Sequence, residues 1–212
     1  MAVYDLEEQE QIDALKSWWT QYRRLVIAAI VAFVLGIAGV RGWLYYKSQT
    51  ATRASEAFGE LEEAARMSDV KRTADLSKKL MNDYARTAYG ARAALLAAKV
   101  SVEAGDAKSA EEQLRWAVDN ARDEPTRALA NLRLSAVMLD GKRYDEALKV
   151  LSTGHPEPFA ALFADGRGDV YVAAGKVPEA RLAYQAALDK LPKSAAYRSV
   201  VELKRDALGA AK

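Results

Sequence analysis

Between Leu25 and Val40 the chain runs LVIAAIVAFVLGIAGV, with no charged or polar side chain. A long basic side chain near a helix end reaches back to the headgroups, so Arg41 extends the apolar run rather than ending it. Leu25 to Tyr46 then measures about 33 Å of helix, against a hydrocarbon core of about 30 Å. Trp18, Trp19 and Tyr22 flank one end and Trp43, Tyr45 and Tyr46 the other. Such paired aromatic belts favour a bilayer interface. The pattern predicts an uncleaved transmembrane anchor over 25–46, because the residues before it are too many for the short n-region of a signal peptide. In front of it Ile12, Leu15, Trp19 and Tyr22 recur at helical spacing behind Asp5, Glu7, Glu8, Glu10 and Asp13. That predicts a short amphipathic helix within a tail of residues 1–24. Inside the span Ala28, Ala32 and Gly36 stand four apart, a small-residue face for packing on another membrane helix.

Beyond the anchor, residues 47–212 repeat. Small and apolar positions align in three segments: Ala98, Ala110, Leu114 and Ala117; then Ser135, Met138, Ala147 and Leu151; then Gly168, Tyr171, Gly175, Ala180, Tyr184, Ala187 and Pro192. The period is close to 34 residues, the signature of stacked helix pairs. Residues 50–84 read as a further pair. Residues 194–208 read as a closing helix, with Val200, Val201, Leu203 and Leu208 laid on the last repeat.

Composition sharpens this. Ala, with 42 of 212 residues, is the best helix former and lets helices approach closely. The fold class is therefore all-α: a single transmembrane helix followed by a repeat solenoid with a C-terminal closing helix. No Cys and one His exclude thiolate metal sites, disulfides and cysteine nucleophiles, and any site needing two imidazoles. No cofactor is expected. Thirty-one basic against 29 acidic residues is too balanced for nucleic acid. Basic residues are equal on the two sides of the span, so charge alone does not orient it. Arg23 and Arg24 abut the apolar core, and long following domains translocate regardless of charge. The expectation is a cytoplasmic N-terminus with the repeat domain across the membrane.

Residues 168–192, GDVYVAAGKVPEARLAYQAALDKLP, resemble a tetratricopeptide repeat. Arg167 departs from that family's pattern, and the two earlier repeats are degenerate. The resemblance implies a concave groove on the first helix of each repeat. Carried over, it is lined by Leu95, Lys99 and Val102; by Leu129, Leu132, Ala136 and Leu139; and by Leu162, Asp165, Asp169 and Val172. Several are apolar, which suits an apolar segment of a partner. The other reading has the groove filled from within, by residues 50–84 or by the closing helix.

The whole arrangement is similar to the YfgM family: an acidic tail, an anchor ending in RGWLYY, and an Ala-rich repeat domain with ADGRGDVYVAAGK at 164–176. That resemblance implies a non-catalytic inner-membrane protein with a periplasmic domain. Its implied partners are the SecYEG translocon, a PpiD-like chaperone, translocating polypeptides and membrane lipid. It also implies a role in handing chains to chaperones and in tuning a stress response. A scaffold for another envelope complex shares the same architecture.

Candidate chemistry is thin. Ser68 and Lys71 have the S-x-x-K spacing of a Ser–Lys hydrolase, without the S-D-N and K-T-G elements such enzymes need. Ser68 is expected to cap a helix instead. Arg167-Gly168-Asp169 falls inside a helix by the repeat register. His155-Pro156-Glu157-Pro158 reads as an inter-repeat linker, since each Pro disfavours helix in the residue before it.

Overall fold

A computed structural model describes residues 3–209, and the regular elements among them are helical. In order they are α1 (Val3–Arg66), α2 (Val70–Asp83), α3 (Ala88–Glu103), α4 (Ala107–Asn120), α5 (Glu124–Asp140), α6 (Tyr144–Leu151), α7 (Ala160–Ala173), α8 (Val177–Lys190) and α9 (Ala196–Asp206), with a short 3₁₀ turn at Glu157–Phe159. The expected tail helix, anchor and first repeat helix are thus one backbone element. No Gly–Pro pair or helix stop interrupts 3–66, so each carbonyl finds its partner one turn on. The chain divides into two units, residues 1–49 and 50–212.

In the first unit the apolar stretch is long enough to cross a membrane. Leu25, Ile30, Phe33, Leu35 and Val40 are all exposed. Ile12, Leu15, Trp19 and Tyr22 are exposed as well. The side chains of Asp5 and Glu7 lie outside the described ones.

The second unit is a stack of helix pairs, and its rhythm is set by one turn. Ser68, Gly105, Lys142 and Gly175 each have φ between 56° and 79°, the left-handed region. In each case the next residue's N–H bonds back five residues: Asp69 to Ala64 O (3.1 Å), Asp106 to Ser101 O (2.8 Å), Arg143 to Met138 O (2.9 Å) and Lys176 to Tyr171 O (2.8 Å). This is the Schellman closure of a helix. It turns α1 into α2, α3 into α4, α5 into α6 and α7 into α8. Gly209, again left-handed at φ 74°, closes α9 in the same register. Thus α9 is the first helix of a fifth repeat, and it stands without a second helix among the described residues.

Ser68 therefore holds the strained turn position, and the cap on α2 is Asp69, which accepts from Arg72 N at 2.9 Å. Asp106 and Asp123 cap α4 and α5 in the same way. A carboxylate satisfies an otherwise unpaired N–H and sits well at the positive end of the helix dipole.

The aligned positions form the core. Ala98, Ala110, Leu114, Ala117, Ser135, Met138, Ala147, Leu151, Ala180, Tyr184 and Ala187 are all buried. The larger cluster spans α3 to α7 around Leu114, Met138, Leu151 and Phe163. A second, Leu61 with Leu80 and Ala93, joins the end of α1 to α2 and α3, so residues 50–84 do supply a helix pair. A third packs Ala164, Ala180, Tyr184 and Leu188 with Val201 of α9. Of the residues expected to cover the last repeat, Val201 is buried and Leu208 packs beside it, while Val200 and Leu203 face outward. Tyr197 takes their place, contributing ring area and a hydroxyl that finds a buried partner.

Candidate partner-docking surfaces

Counting back from each left-handed turn residue puts the groove positions in one frame. Three residues before it stand Val102, Leu139 and Val172; six before, Lys99, Ala136 and Asp169; ten before, Leu95, Leu132 and Asp165; thirteen before, Leu129 and Leu162. The same steps from Ser68 add Phe58, Glu62 and Ala65, and from Gly209 add Ser199, Leu203 and Asp206. The α1 positions were hidden in the sequence because the first turn carries Ser rather than Gly.

The positions divide by depth. Lys99, Val102, Ala136 and Val172 are exposed. Leu129, Leu132 and Leu139 are half-buried against the main core cluster, and Leu162 and Asp169 are half-buried too. Leu95 and Asp165 are buried and offer no surface to a partner. What remains is a ladder with one step per repeat, Val102 and Val172 exposed and Leu139 half-buried between them. Next to it a cleft of about 430 Å³ opens between the end of α1 and α3, with Ala65, Leu96 and Val100 among its apolar lining and Glu62, Arg66, Lys99 and Glu103 also around it.

The Asp165 and Asp169 positions of α7 are occupied from within. Lys204 of α9 donates to Asp165 Oδ2 and to Asp169 Oδ2, both at 2.8 Å. Tyr197 donates to Asp165 Oδ2 at 2.6 Å, and Tyr184 to Asp169 Oδ1 at 2.7 Å. Burial pulls the Lys204 ammonium down, but its hydrogen bonds to the two carboxylates outweigh that and raise its pKa. Burial first, then the adjacent carboxylates, pushes both phenols up, so they stay neutral donors.

Elsewhere the polar side chains fasten one repeat to the next. Arg143, at the start of α6, forks onto Glu111 of α4 at 3.2 and 2.5 Å. Arg133 of α5 donates to Leu95 O at 3.1 Å, and Arg167 of α7 to Leu151 O at 3.0 Å. The departure at Arg167 is thereby explained: its head serves a helix-end carbonyl. Arg167, Gly168 and Asp169 lie within α7, as the register predicts. A Cβ on Gly168 would come within 2.3 Å of the Tyr184 ring, so glycine is what lets α7 and α8 cross. His155 packs on Phe163, ring centroids 4.3 Å apart, in the linker before α7. Ser68 is spent on the turn and Lys71 lies in the first turn of α2. Among the described residues no group of three His, Cys, Asp or Glu could hold a metal.

In the first unit Ala28, Ala32 and Gly36 are exposed on one helix face. Nothing lies within 4 Å of where a Cβ on Gly36 would stand. Trp18 and Tyr22 pack with centroids 5.6 Å apart, and Lys47 lies 5.3 Å over Trp43.

Residues 16–210 match the tetratricopeptide repeat-like domain family. The chain is 33% identical over 208 residues to the ancillary SecYEG translocon subunit of Neisseria gonorrhoeae, covering 96% of this chain and 98% of the relative. It is 32% identical to the protein of that name from Haemophilus influenzae (87% and 90% covered) and 30% identical to the one from Escherichia coli (88% and 89%). The apolar stretch, the repeats and the closing helix all fall inside the family match, and the chain belongs to the family of ancillary SecYEG translocon subunits, with a tetratricopeptide repeat-like domain.

Proposed function

We propose that this protein is a non-catalytic adaptor of the bacterial inner membrane that works beside the SecYEG translocon. The carrying observation is the 33% identity over 96% of the chain to a relative named for that association. In this reading residues 1–24 are cytoplasmic, residues 25–46 span the bilayer and the repeat domain is periplasmic. The Ala28, Ala32 and Gly36 face packs on a membrane partner in contact with lipid. The ladder of Val102, Leu139 and Val172 receives an apolar stretch of a translocating polypeptide or of a PpiD-like chaperone. The protein thereby helps pass chains onward and feeds a stress response. The ladder supports a docking role because the branched side chains Val102 and Val172 are exposed there, with half-buried Leu139 at the same step of the repeat between them.

Photocrosslinking groups placed separately at Ala32 and Ala136, in living cells, test this. Both positions are exposed, so the substitutions leave the core intact. Adducts with SecY or a PpiD-like chaperone are expected, at Ala32 in the membrane and at Ala136 outside it. Adducts only with lipid or with other copies of the protein would overturn the translocon reading.

A further inference from the structure

At two places a cationic side chain ties the first helix of one repeat to the first helix of the next. Arg133, nine residues before the left-handed Lys142, donates from α5 to Leu95 O of α3 at 3.1 Å. Lys204 of α9 reaches Asp165 and Asp169 of α7, both at 2.8 Å. The start of the stack differs. The residue nine before Gly105 is Leu96, which has no donor to extend from α3 to α1. The cleft of about 430 Å³ opens there, with Leu96 in its lining.

The lining has a definite chemistry. Ala65 and Leu96 are half-buried and Val100 is buried, which gives an apolar floor. Glu62, Arg66, Lys99 and Glu103 are exposed around the rim. Two acids and two bases cancel, so the rim selects neither an acidic nor a basic segment. Lys99 pairs with Glu103 at 3.6 Å, whereas no ion pair joins Glu62 to Arg66, four residues apart on α1. An aromatic ring matches such a rim. Its face is negative and attracts a cation within about 6 Å, while its body covers an apolar floor. The N–H of tryptophan or the O–H of tyrosine also needs a partner when buried, and the Glu62 carboxylate is an acceptor at the rim. An aliphatic side chain answers neither the cations nor the carboxylate. The volume falls within the roughly 300–1,000 Å³ of clefts that enclose a small ligand.

We infer that the cleft between α1 and α3 anchors an aromatic side chain, tryptophan or tyrosine, of an unfolded polypeptide. The inference rests on the docking-groove reading above and adds what the groove selects. Folded proteins bury most of their large aromatic surface, so a pocket for an exposed ring picks out chains that have not yet folded. Val102 stands one turn on from Lys99 along α3, so a segment anchored in the cleft runs next onto the ladder.

The test uses the full chain in nanodiscs, with the methyl NMR signals of Leu96 and Val100 as the readout. N-acetyl-tryptophanamide is expected to shift both saturably, and N-acetyl-leucinamide to bind about tenfold more weakly. Leu96→Arg copies the step held by Arg133 and should close the cleft, so the Val100 shift is lost. Arg66→Gln keeps the floor and removes one cation. It should weaken tryptophanamide binding about threefold and leave leucinamide unchanged. Amide exchange in α4 to α8 confirms that both variants keep their fold. Equal affinity for the two amides, a Val100 shift that survives Leu96→Arg, or indifference to Arg66→Gln would each overturn the inference. The titration needs no translocon, so its failure with the Ala136 adducts intact removes the pocket and leaves the translocon reading standing.

Discussion

At the scale of single residues, the left-handed turns are where this chain carries strain. Glycine adopts that conformation freely, and Gly105 and Gly175 do so here. Ser68 and Lys142, both at φ 56°, carry a Cβ into it at a cost of about 1 kcal/mol each. Lys142→Gly is therefore expected to stabilise the repeat domain by about 1 kcal/mol, read as a rise in urea midpoint with an unchanged slope. Gly168 is the opposite case. Its missing Cβ is the space taken by the Tyr184 ring, and Tyr184 is fixed by its bond to Asp169. Gly168→Ala should destabilise by about 1–3 kcal/mol, the range for overpacking a filled core, and the urea midpoint should fall. Part of this was legible beforehand: the repeat signature marks Gly168 and Gly175. Ser68 was misread as a helix cap because serine is common at both sites, and only backbone geometry separates them.

Between elements, the fastening of α4 to α6 depends on pH. Glu111 is held below its ordinary pKa of 4.5, first by hydrogen bonding from Arg143, with burial acting against it. A carboxyl depressed in the folded state contributes stability above its unfolded pKa and loses it as pH falls through the folded value. Wild-type protein should thus lose stability faster than Glu111→Gln as pH drops below 4.5, with the two running parallel near neutrality. Thermal melts across that range check it. The closing helix teaches a related lesson. Its apolar residues were legible, but which of them turn inward was not. A short helix with Val200, Val201, Leu203 and Leu208 can present more than one face, and the docking of Tyr197 and Lys204 onto Asp165 selected the one that buries Val201.

For the whole molecule, the proposed function has residues 25–46 tie the repeats to a membrane. The full chain is expected to stay in the membrane pellet through an alkaline carbonate wash. Ile30→Arg combined with Val34→Arg should release it to the supernatant, since each arginine at a helix centre costs about 2.5–3.5 kcal/mol for insertion.

The sequence by itself determined the helical class, the long apolar N-terminal helix and the repeat period, because these rest on local propensity and on the spacing of apolar residues. It also carried the family, because the resemblance runs through nearly every segment. Tertiary structure alone decided which groove positions are surface and which are core. Leu95 and Leu132 share a step of the repeat with Asp165, yet the first is buried, the second half-buried and the third paired to α9. Their depth depends on residues distant in the chain, on the apolar cluster of α3 to α7 for Leu95 and on Tyr197 and Lys204 for Asp165. Periodicity places a residue on a helix face, but it does not say what will come to lie against that face.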